Sequence, residues 1–163
     1  MGTNIAPILA NLYMAKLEMF LKEKCLINPN LIWPTFYVRF IDDGFGSTKG
    51  SRKDVEYWIA EFNKLVESIV IDKYTYGTKV AFMDLFIYKG TRFQKSGRFD
   101  INIFQNAQNK YIYIPQKSYH RKHTIKNYVL NELQRYVKYN TEKCNYLKLR
   151  NKFFHLFKEQ KVS

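Results

Sequence analysis

The chain has 163 residues, of which 46% are hydrophobic, so it is long enough for one domain with a buried core, or for one domain and a small appendage. It has no apolar run of about 18 residues, and we therefore expect no membrane span and no membrane partner. Cys25 and Cys144 lack metal-ligand spacing, which favours an intracellular protein with two reduced thiols.

The net charge of +13 is distributed unevenly. Residues 1–90 contain 11 Lys and Arg against 10 Asp and Glu, a net of +1, whereas residues 91–163 contain 16 against 4, a net of +12. Basic residues interleaved with aromatic ones favour nucleic acid as a partner, with a generic basic surface as the alternative for the tail alone. The charge step near residue 90 predicts two regions, 1–90 and 91–163.

The first predicted element is a helix that begins at Ala6-Pro7 and ends near Lys24, since Pro suits the first helical turn. Helical spacing predicts one apolar face, made of Leu9, Leu12, Tyr13, Leu17 and Phe20.

Asp42 and Asp43 follow the β-forming run 36–41 and precede Gly44-Phe45-Gly46. Because Asp is poor inside strands and good at turns, the pair is predicted at the tip of a β-hairpin. Adjacent carboxylates repel each other unless a cation neutralises them. The arrangement suits divalent-metal and phosphate chemistry, with a solvated turn as the alternative.

Ser51 is predicted to cap a second helix, with Asp54 completing a capping box, and this helix is expected to run to about Ser68. Residues 69–71 are predicted to begin a strand, and Tyr76-Gly77 to form a turn. The expected apolar stripe of the helix consists of Val55, Trp58, Ile59, Phe62, Leu65 and Val66.

Two strands are predicted over 80–89 and 99–105, joined across Gly90 and Ser96-Gly97, and a third extended segment covers 110–114. The remainder is predicted to be helical because apolar residues recur every three or four positions. These residues are Ile125, Val129, Leu133 and Val137, followed by Tyr146, Leu149, Phe153, Leu156 and Phe157.

Five stretches carry a resemblance to a known family. Residues 1–14 begin Met-Gly-Thr-Asn-Ile-Ala-Pro, residues 40–43 read Phe-Ile-Asp-Asp and residues 82–87 read Phe-Met-Asp-Leu-Phe-Ile. Residues 118–120 read Ser-Tyr-His, and residues 131–136 read Asn-Glu-Leu-Gln-Arg-Tyr. In this order they resemble the reverse transcriptases of Penelope-like retroelements: the loop and helix after the first catalytic strand, the aromatic-x-Asp-Asp signature, the primer-side hairpin and the thumb-side motifs. The match extends over nearly the whole chain.

This resemblance implies an α+β fold: a partial polymerase palm, an antiparallel sheet with helices, followed by a mainly helical thumb. It assigns the partial palm to residues 1–90, and the primer-side hairpin and basic helical thumb region to residues 91–163. The implied activity is RNA-directed DNA synthesis, with an RNA template, a DNA primer and deoxynucleotides as partners. The implied location is intracellular, and nuclear for a eukaryotic retroelement.

The family performs nucleotidyl transfer with two divalent cations, Mg²⁺ or Mn²⁺. The resemblance implies that Asp42 is a metal ligand and that Asp43 is a weaker ligand or a support for the hairpin. The family's other metal-binding aspartate lies on a strand before the loop and helix, and its fingers also lie upstream. The chain begins after both, so we expect a fragment with weak metal binding at most and no activity alone.

The resemblance and the basic clusters indicate further contacts. Contacts to template or nucleotide are expected from Gly2, Thr3, Asn4, Asn11 and Lys73, with Lys79 as a competitor for Lys73. Primer contacts are expected from Phe82, Met83, Asp84 and Leu85. Contacts to the nucleic-acid backbone are expected from His120, Arg121, Lys122, Lys126, Arg135 and Lys138.

Alternatives stay open for the single contacts, for the two histidines and for the whole chain. Capping polar groups, a core strand and solvated lysines are the structural alternatives to these contacts. A zinc site at His120 and His123 is disfavoured, because no Cys or carboxylate lies nearby in sequence. The whole chain is alternatively a non-catalytic nucleic-acid-binding module, such as a decayed or domesticated retroelement remnant, or a small DNA-binding protein unrelated to polymerases.

Overall fold

The computed structural model describes residues 5–105, 119 and 121–159, with the backbone alone at Lys122 and Glu159. Over these residues the protein is α+β, as expected, with five helices and two small antiparallel sheets. The chain divides into two compact units, Met1–Tyr76 and Gly77–Ser163. The predicted extended segment 110–114 lies outside the described residues.

Helix α1 spans Ala6–Ile27 and has Pro7 in its first turn, as predicted. The predicted apolar face was wrong except at Leu17, because Leu9, Leu12, Tyr13 and Phe20 are exposed. The buried positions are Leu17 and Leu21. The stripe of α1 that packs on the cluster of Leu31, Trp58 and Phe62 consists of Met14, Leu17, Leu21 and Cys25.

The predicted hairpin is confirmed. Strands β1 (Phe36–Phe40) and β2 (Asp43–Ser47) pair in antiparallel register, from Phe36 opposite Ser47 to Phe40 opposite Asp43. Successive side chains of a strand alternate between its two faces. Tyr37 and Arg39 therefore share one face, where both contact α1 through Glu18. Phe36, Val38 and Phe40 share the other face and are exposed.

Helix α2 spans Arg52–Asn63, and the predicted capping box between Ser51 and Asp54 is confirmed. The helix ends before the predicted Ser68, and the strand predicted at 69–71 was wrong. The Asn63 side chain takes the place of a strand partner for Ile71. Its Oδ1 accepts from the Ile71 amide at 2.8 Å, and its Nδ2 donates to the Ile71 carbonyl at 3.2 Å.

The second unit begins with a three-stranded sheet in the order β3-β4-β5, formed by Lys79–Phe82, Leu85–Tyr88 and Asp100–Ile103. The single strand predicted over 80–89 was wrong, because Met83 and Asp84 form a turn between β3 and β4. This turn agrees with the hairpin that the family resemblance implies. A short helix that the sequence patterns did not indicate, α3 (Thr91–Ser96), ends at Gly97 with a φ of 68°.

The two predicted C-terminal helices are confirmed as α4 (Lys122–Lys138) and α5 (Lys143–Glu159). They enclose a core built around Ile103 of β5, Tyr136 of α4 and Phe153 of α5. Val137, predicted on the apolar face, is exposed because its neighbour Tyr136 takes the buried position. None of the helices in the described part of the chain is both long and apolar enough to cross a membrane.

Candidate functional site

The tip of the β1–β2 hairpin is a two-residue turn formed by Ile41 and Asp42. Ile41 has a φ of 55°, whereas no positive φ is found at Asp42. A positive φ at only the first central position is characteristic of a type II′ turn, which suits a β-hairpin. This backbone is unusual for a β-branched residue and persists where surrounding contacts impose it.

Arg39 connects this turn to α1. Its Nη1 donates to the Ile41 carbonyl at 2.9 Å and to Asn11 Oδ1 at 2.9 Å, and its Nη2 donates to the Asn11 carbonyl at 3.3 Å. Its Nε donates to Glu18 Oε1 at 2.5 Å. The Arg39 and Glu18 side chains are only 10% and 18% exposed, so salt screens this ion pair less than a pair on the surface.

Tyr37 lies two residues before Arg39 on the same face of β1 and contributes to the same network. Its hydroxyl donates to Glu18 Oε1 at 3.2 Å. Burial, and then the negative charge of Glu18, raises the pKa of Tyr37 to about 12. The phenol is therefore neutral over the physiological range and remains a hydrogen-bond donor to the carboxylate.

Asp42 and Asp43 are both exposed at the tip. Within residues 5–105, 119 and 121–159, neither carboxylate takes part in an ion pair or a side-chain hydrogen bond. Two adjacent negative charges without a counter-charge favour a cation. Carboxylate oxygens are ligands that Mg²⁺ and Mn²⁺ accept, and two carboxylates are fewer ligands than an octahedral shell requires. No cluster of three or more His, Cys, Asp or Glu that could hold a metal is found among the described residues.

The β3–β4 hairpin of the second unit closes with a turn of the same kind. Met83 has a φ of 55°, and Phe82 pairs with Leu85. Here the acidic residue has an ion-pair partner, because Arg135 Nη1 contacts Asp84 Oδ2 at 2.5 Å. Arg135 also holds both carboxylate oxygens of Glu132, through Nε and Nη2.

Of the primer-side residues predicted from the sequence, Met83 and Asp84 are exposed at this second tip, and Phe82 and Leu85 are partly buried. Leu85 packs against the core of the second unit.

Among the predicted template and nucleotide contacts, Asn11 lies beside the first tip, where it accepts hydrogen bonds from Arg39. Lys73 is exposed in the irregular segment after α2. Lys79, its competitor, lies 4.3 Å above the Phe86 ring at the start of β3. Gly2, Thr3 and Asn4 lie outside the described residues.

The predicted backbone contacts fall on α4 and next to it. Arg121, Lys126 and Lys138 are exposed, whereas Arg135 is committed to Asp84 and Glu132. His120 and the side chain of Lys122 lie outside the described residues. Helix α5 adds basic side chains that the sequence analysis did not select, namely Lys143, Lys148, Arg150, Lys152 and Lys158.

Sequence reasoning missed Arg39, Glu18 and Tyr37, which form the network beneath the first tip. A signal for Arg39 was present in the sequence, because it interrupts the apolar run between Val38 and Phe40. A charge on a strand face that packs on a helix requires a partner. No periodic pattern identifies that partner as Glu18, since the contact joins two elements 21 residues apart.

Comparison of the chain with protein-family models, with curated proteins and with solved structures found no match.

Proposed function

We propose that the protein is the palm and thumb portion of an RNA-directed DNA polymerase, with the Asp42–Asp43 tip as part of its metal site. One observation carries the proposal. The tip presents two adjacent exposed carboxylates that have no ion-pair partner within the described residues, on a turn that Arg39 connects to α1. The aromatic-x-Asp-Asp wording of this turn supports the assignment to nucleotidyl transfer.

The residues of the tip have separate tasks in the proposal. Asp42 and Asp43 hold a divalent cation through carboxylate oxygens, and the remaining ligands come from water, substrate phosphates and an upstream aspartate of a longer protein. Two Mg²⁺ ions bound there would supply the chemistry, one by activating the primer hydroxyl and the other by stabilising the departing pyrophosphate.

The second unit supplies the contacts to nucleic acid in the proposal. The exposed side chains of Arg121, Lys126 and Lys138 bind phosphates, which position a duplex without reading its sequence. The β3–β4 hairpin, with Met83 exposed at its tip, is the primer-side element.

Primer extension tests the proposal. The protein encoded by the longest reading frame that contains this chain is assayed on an RNA template with a DNA primer, deoxynucleotides and Mg²⁺. Asp42→Asn is expected to reduce synthesis on the order of 10³-fold, because it removes charge from the metal site, while duplex binding is retained. Asp72→Asn, an exposed aspartate of the same unit, is the matched control and is expected to retain activity. The proposal fails if the parent protein makes no DNA, or if Asp42→Asn retains its activity.

A second candidate function is nucleic-acid binding without catalysis. The observation that favours it is the net charge of +12 over residues 91–163, with basic side chains exposed on α4 and α5. Each phosphate contact that is removed is expected to reduce the slope of log K against log salt by about 1. Lys126→Gln and Lys138→Gln are therefore compared with Lys49→Gln, an exposed lysine of the first unit, in duplex binding at several salt concentrations. Salt-dependent binding together with an absence of DNA synthesis favours this second function.

A further inference from the structure

We infer that Arg39 is the positioning residue of the candidate site: it sets the orientation of Asp42 and Asp43 by holding the turn through its backbone, and it leaves both carboxylates without a counter-charge. The inference deepens the proposed function and rests on it. Arg39 touches neither carboxylate, so its role is exerted through the turn.

Arg39 uses most of its hydrogen-bond donors in contacts with α1 and with the turn. A guanidinium has five N–H donors in a planar fork. Four contacts of 2.5 to 3.3 Å join this fork to Glu18, to the side chain and carbonyl of Asn11, and to the Ile41 carbonyl. Three of the four contacts lead to α1 and one leads to the turn. Arg39 therefore links α1 to Ile41, the residue that precedes Asp42.

The contacts of the Arg39 guanidinium are made with Glu18, Asn11 and the Ile41 carbonyl, and not with the two carboxylates of the tip. An arginine beside two carboxylates usually pairs with them, because such pairs form strong bidentate hydrogen bonds. Here Glu18 accepts from the Nε of Arg39, and the Ile41 carbonyl accepts from its Nη1. The positive charge is balanced by Glu18, and the carboxylates of Asp42 and Asp43 stay available to a cation.

The backbone of the turn has an unusual conformation at Ile41. Ile41 has a φ of 55°, which a β-branched residue adopts only where its surroundings impose it. The hydrogen bond from Arg39 to the Ile41 carbonyl helps to hold this conformation, since it restrains the peptide group between Ile41 and Asp42. Lysine lacks the planar fork and cannot make the same set of contacts.

The test uses the full chain and two readouts that do not require DNA synthesis. The first is amide hydrogen exchange of residues 41–44. The second is the broadening of their nuclear magnetic resonance signals by titrated Mn²⁺. The variants are Arg39→Ala, Arg39→Lys and, as a matched control, Arg52→Ala, which removes an exposed arginine ion-paired with Glu56 in the same unit.

In Arg39→Ala we expect exchange at the tip to accelerate on the order of 10-fold, while exchange in α2 stays as in the parent chain. We expect the apparent Mn²⁺ affinity to fall about 10- to 100-fold, as for residues that orient metal ligands. Arg39→Lys is expected to lose affinity as well, and added guanidinium is expected to restore part of the Mn²⁺ response in Arg39→Ala. A residue with only a general role in stability gives no such rescue.

The inference is overturned if Arg39→Ala folds with parental exchange at the tip, or if its Mn²⁺ response equals that of the parent chain. If Arg39→Ala does not fold, Arg39→Lys decides by the same two criteria. If the parent chain shows no Mn²⁺ response at residues 41–44, the titration is repeated with the protein encoded by the longest reading frame that contains this chain, and no response there refutes the proposed metal site. Faster exchange confined to the tip of the Arg39 variants then still supports Arg39 as the residue that holds the turn.

Discussion

At the β1–β2 tip Arg39 bonds to a backbone carbonyl, whereas at the β3–β4 tip Arg135 pairs with the carboxylate of Asp84. The two turns share their backbone conformation, with a φ of 55° at Ile41 and at Met83. Each places an aspartate in the same second position of the turn. The difference teaches that local geometry does not decide whether such a tip is charged or neutral, since the partner of the arginine decides it.

The source of each arginine explains the difference. Arg39 lies on the hairpin itself, next to Phe40, and reaches back to Glu18 on α1. Arg135 comes from α4 and reaches the hairpin from outside, so that it meets the side chain at the tip. The first arrangement leaves Asp42 and Asp43 without an ion-pair partner among the described residues, and the second gives Asp84 such a partner.

The largest effect is expected from removing a buried side chain of α1, the helix that supports the first tip. Leu21 of α1 is fully buried, and Leu21→Ala is expected to lower the free energy of unfolding by about 3 kcal/mol because it leaves a cavity. Leu9→Ala, on the exposed part of the same helix, is expected to change it by less than about 0.5 kcal/mol. Urea denaturation followed by circular dichroism measures both. Equal losses in the two variants would contradict the partial coverage of α1.

The next effect compares Gly44, which lies in β2, with Gly90, which follows β4. A Cβ at Gly90 would lie 2.5 Å from Asp100 Oδ2 and 2.9 Å from Tyr88 Cε2, whereas at Gly44 the nearest atom, the Tyr37 hydroxyl oxygen, is 3.5 Å away. Gly90→Ala is therefore expected to cost about 2 kcal/mol of stability through overpacking, and Gly44→Ala much less. Thermal denaturation of the two variants checks the order. A parental midpoint for Gly90→Ala would show that Asp100 moves away without cost.

A smaller effect tests the network beneath the first tip through pH. The pKa of Tyr37 is raised from 10.0 to about 12 in the folded chain, chiefly by burial. Its contribution to stability is therefore complete below pH 10 and is lost as the pH rises to 12. Tyr37→Phe is expected to cost about 1 kcal/mol at neutral pH, for the lost hydrogen bond to Glu18, and to lack this alkaline loss. Denaturation between pH 8 and pH 12 compares the two proteins, and parallel curves would refute the assignment.

The smallest effect is a change in stability that is expected to have opposite signs at the two tips. Asp84→Asn removes an ion pair whose partners are 36% and 58% exposed, and it is expected to lower stability by about 0.5 kcal/mol. Asp43→Asn is expected to raise stability slightly, because it relieves repulsion from Asp42. Both changes are expected to shrink in 1 M salt. Denaturation at two salt concentrations measures them, and a loss in both variants would show that Asp43 also has a stabilising partner.

Local patterns in the sequence were sufficient where a residue acts on its close neighbours. The capping box of Ser51 and Asp54, the helix start at Pro7 and the turn at Asp42 were predicted, since each depends on residues three or four positions apart. The strand predicted at residues 69–71 was wrong for the opposite reason. Asn63 on the preceding helix bonds to both backbone groups of Ile71, and β-propensity carries no information about such a partner.

The candidate site shows the same division. The carboxylate pair and its position at a hairpin tip were predicted from the residues alone. Arg39, Glu18 and Asn11 were not predicted as a group, because periodicity says which face a side chain occupies and not which residue it meets.

The sequence by itself determined several helices and hairpins, a basic C-terminal part and an acidic hairpin tip, because composition and short-range spacing are sufficient for these features. Only the tertiary structure decided that Arg39 bonds to the backbone beside Asp42 while Arg135 neutralises Asp84. Charge pairing depends on distance in space, and the residues that meet here lie 21 and 51 positions apart in the chain. The packing of α1 and of α4 therefore determines which tip remains negatively charged.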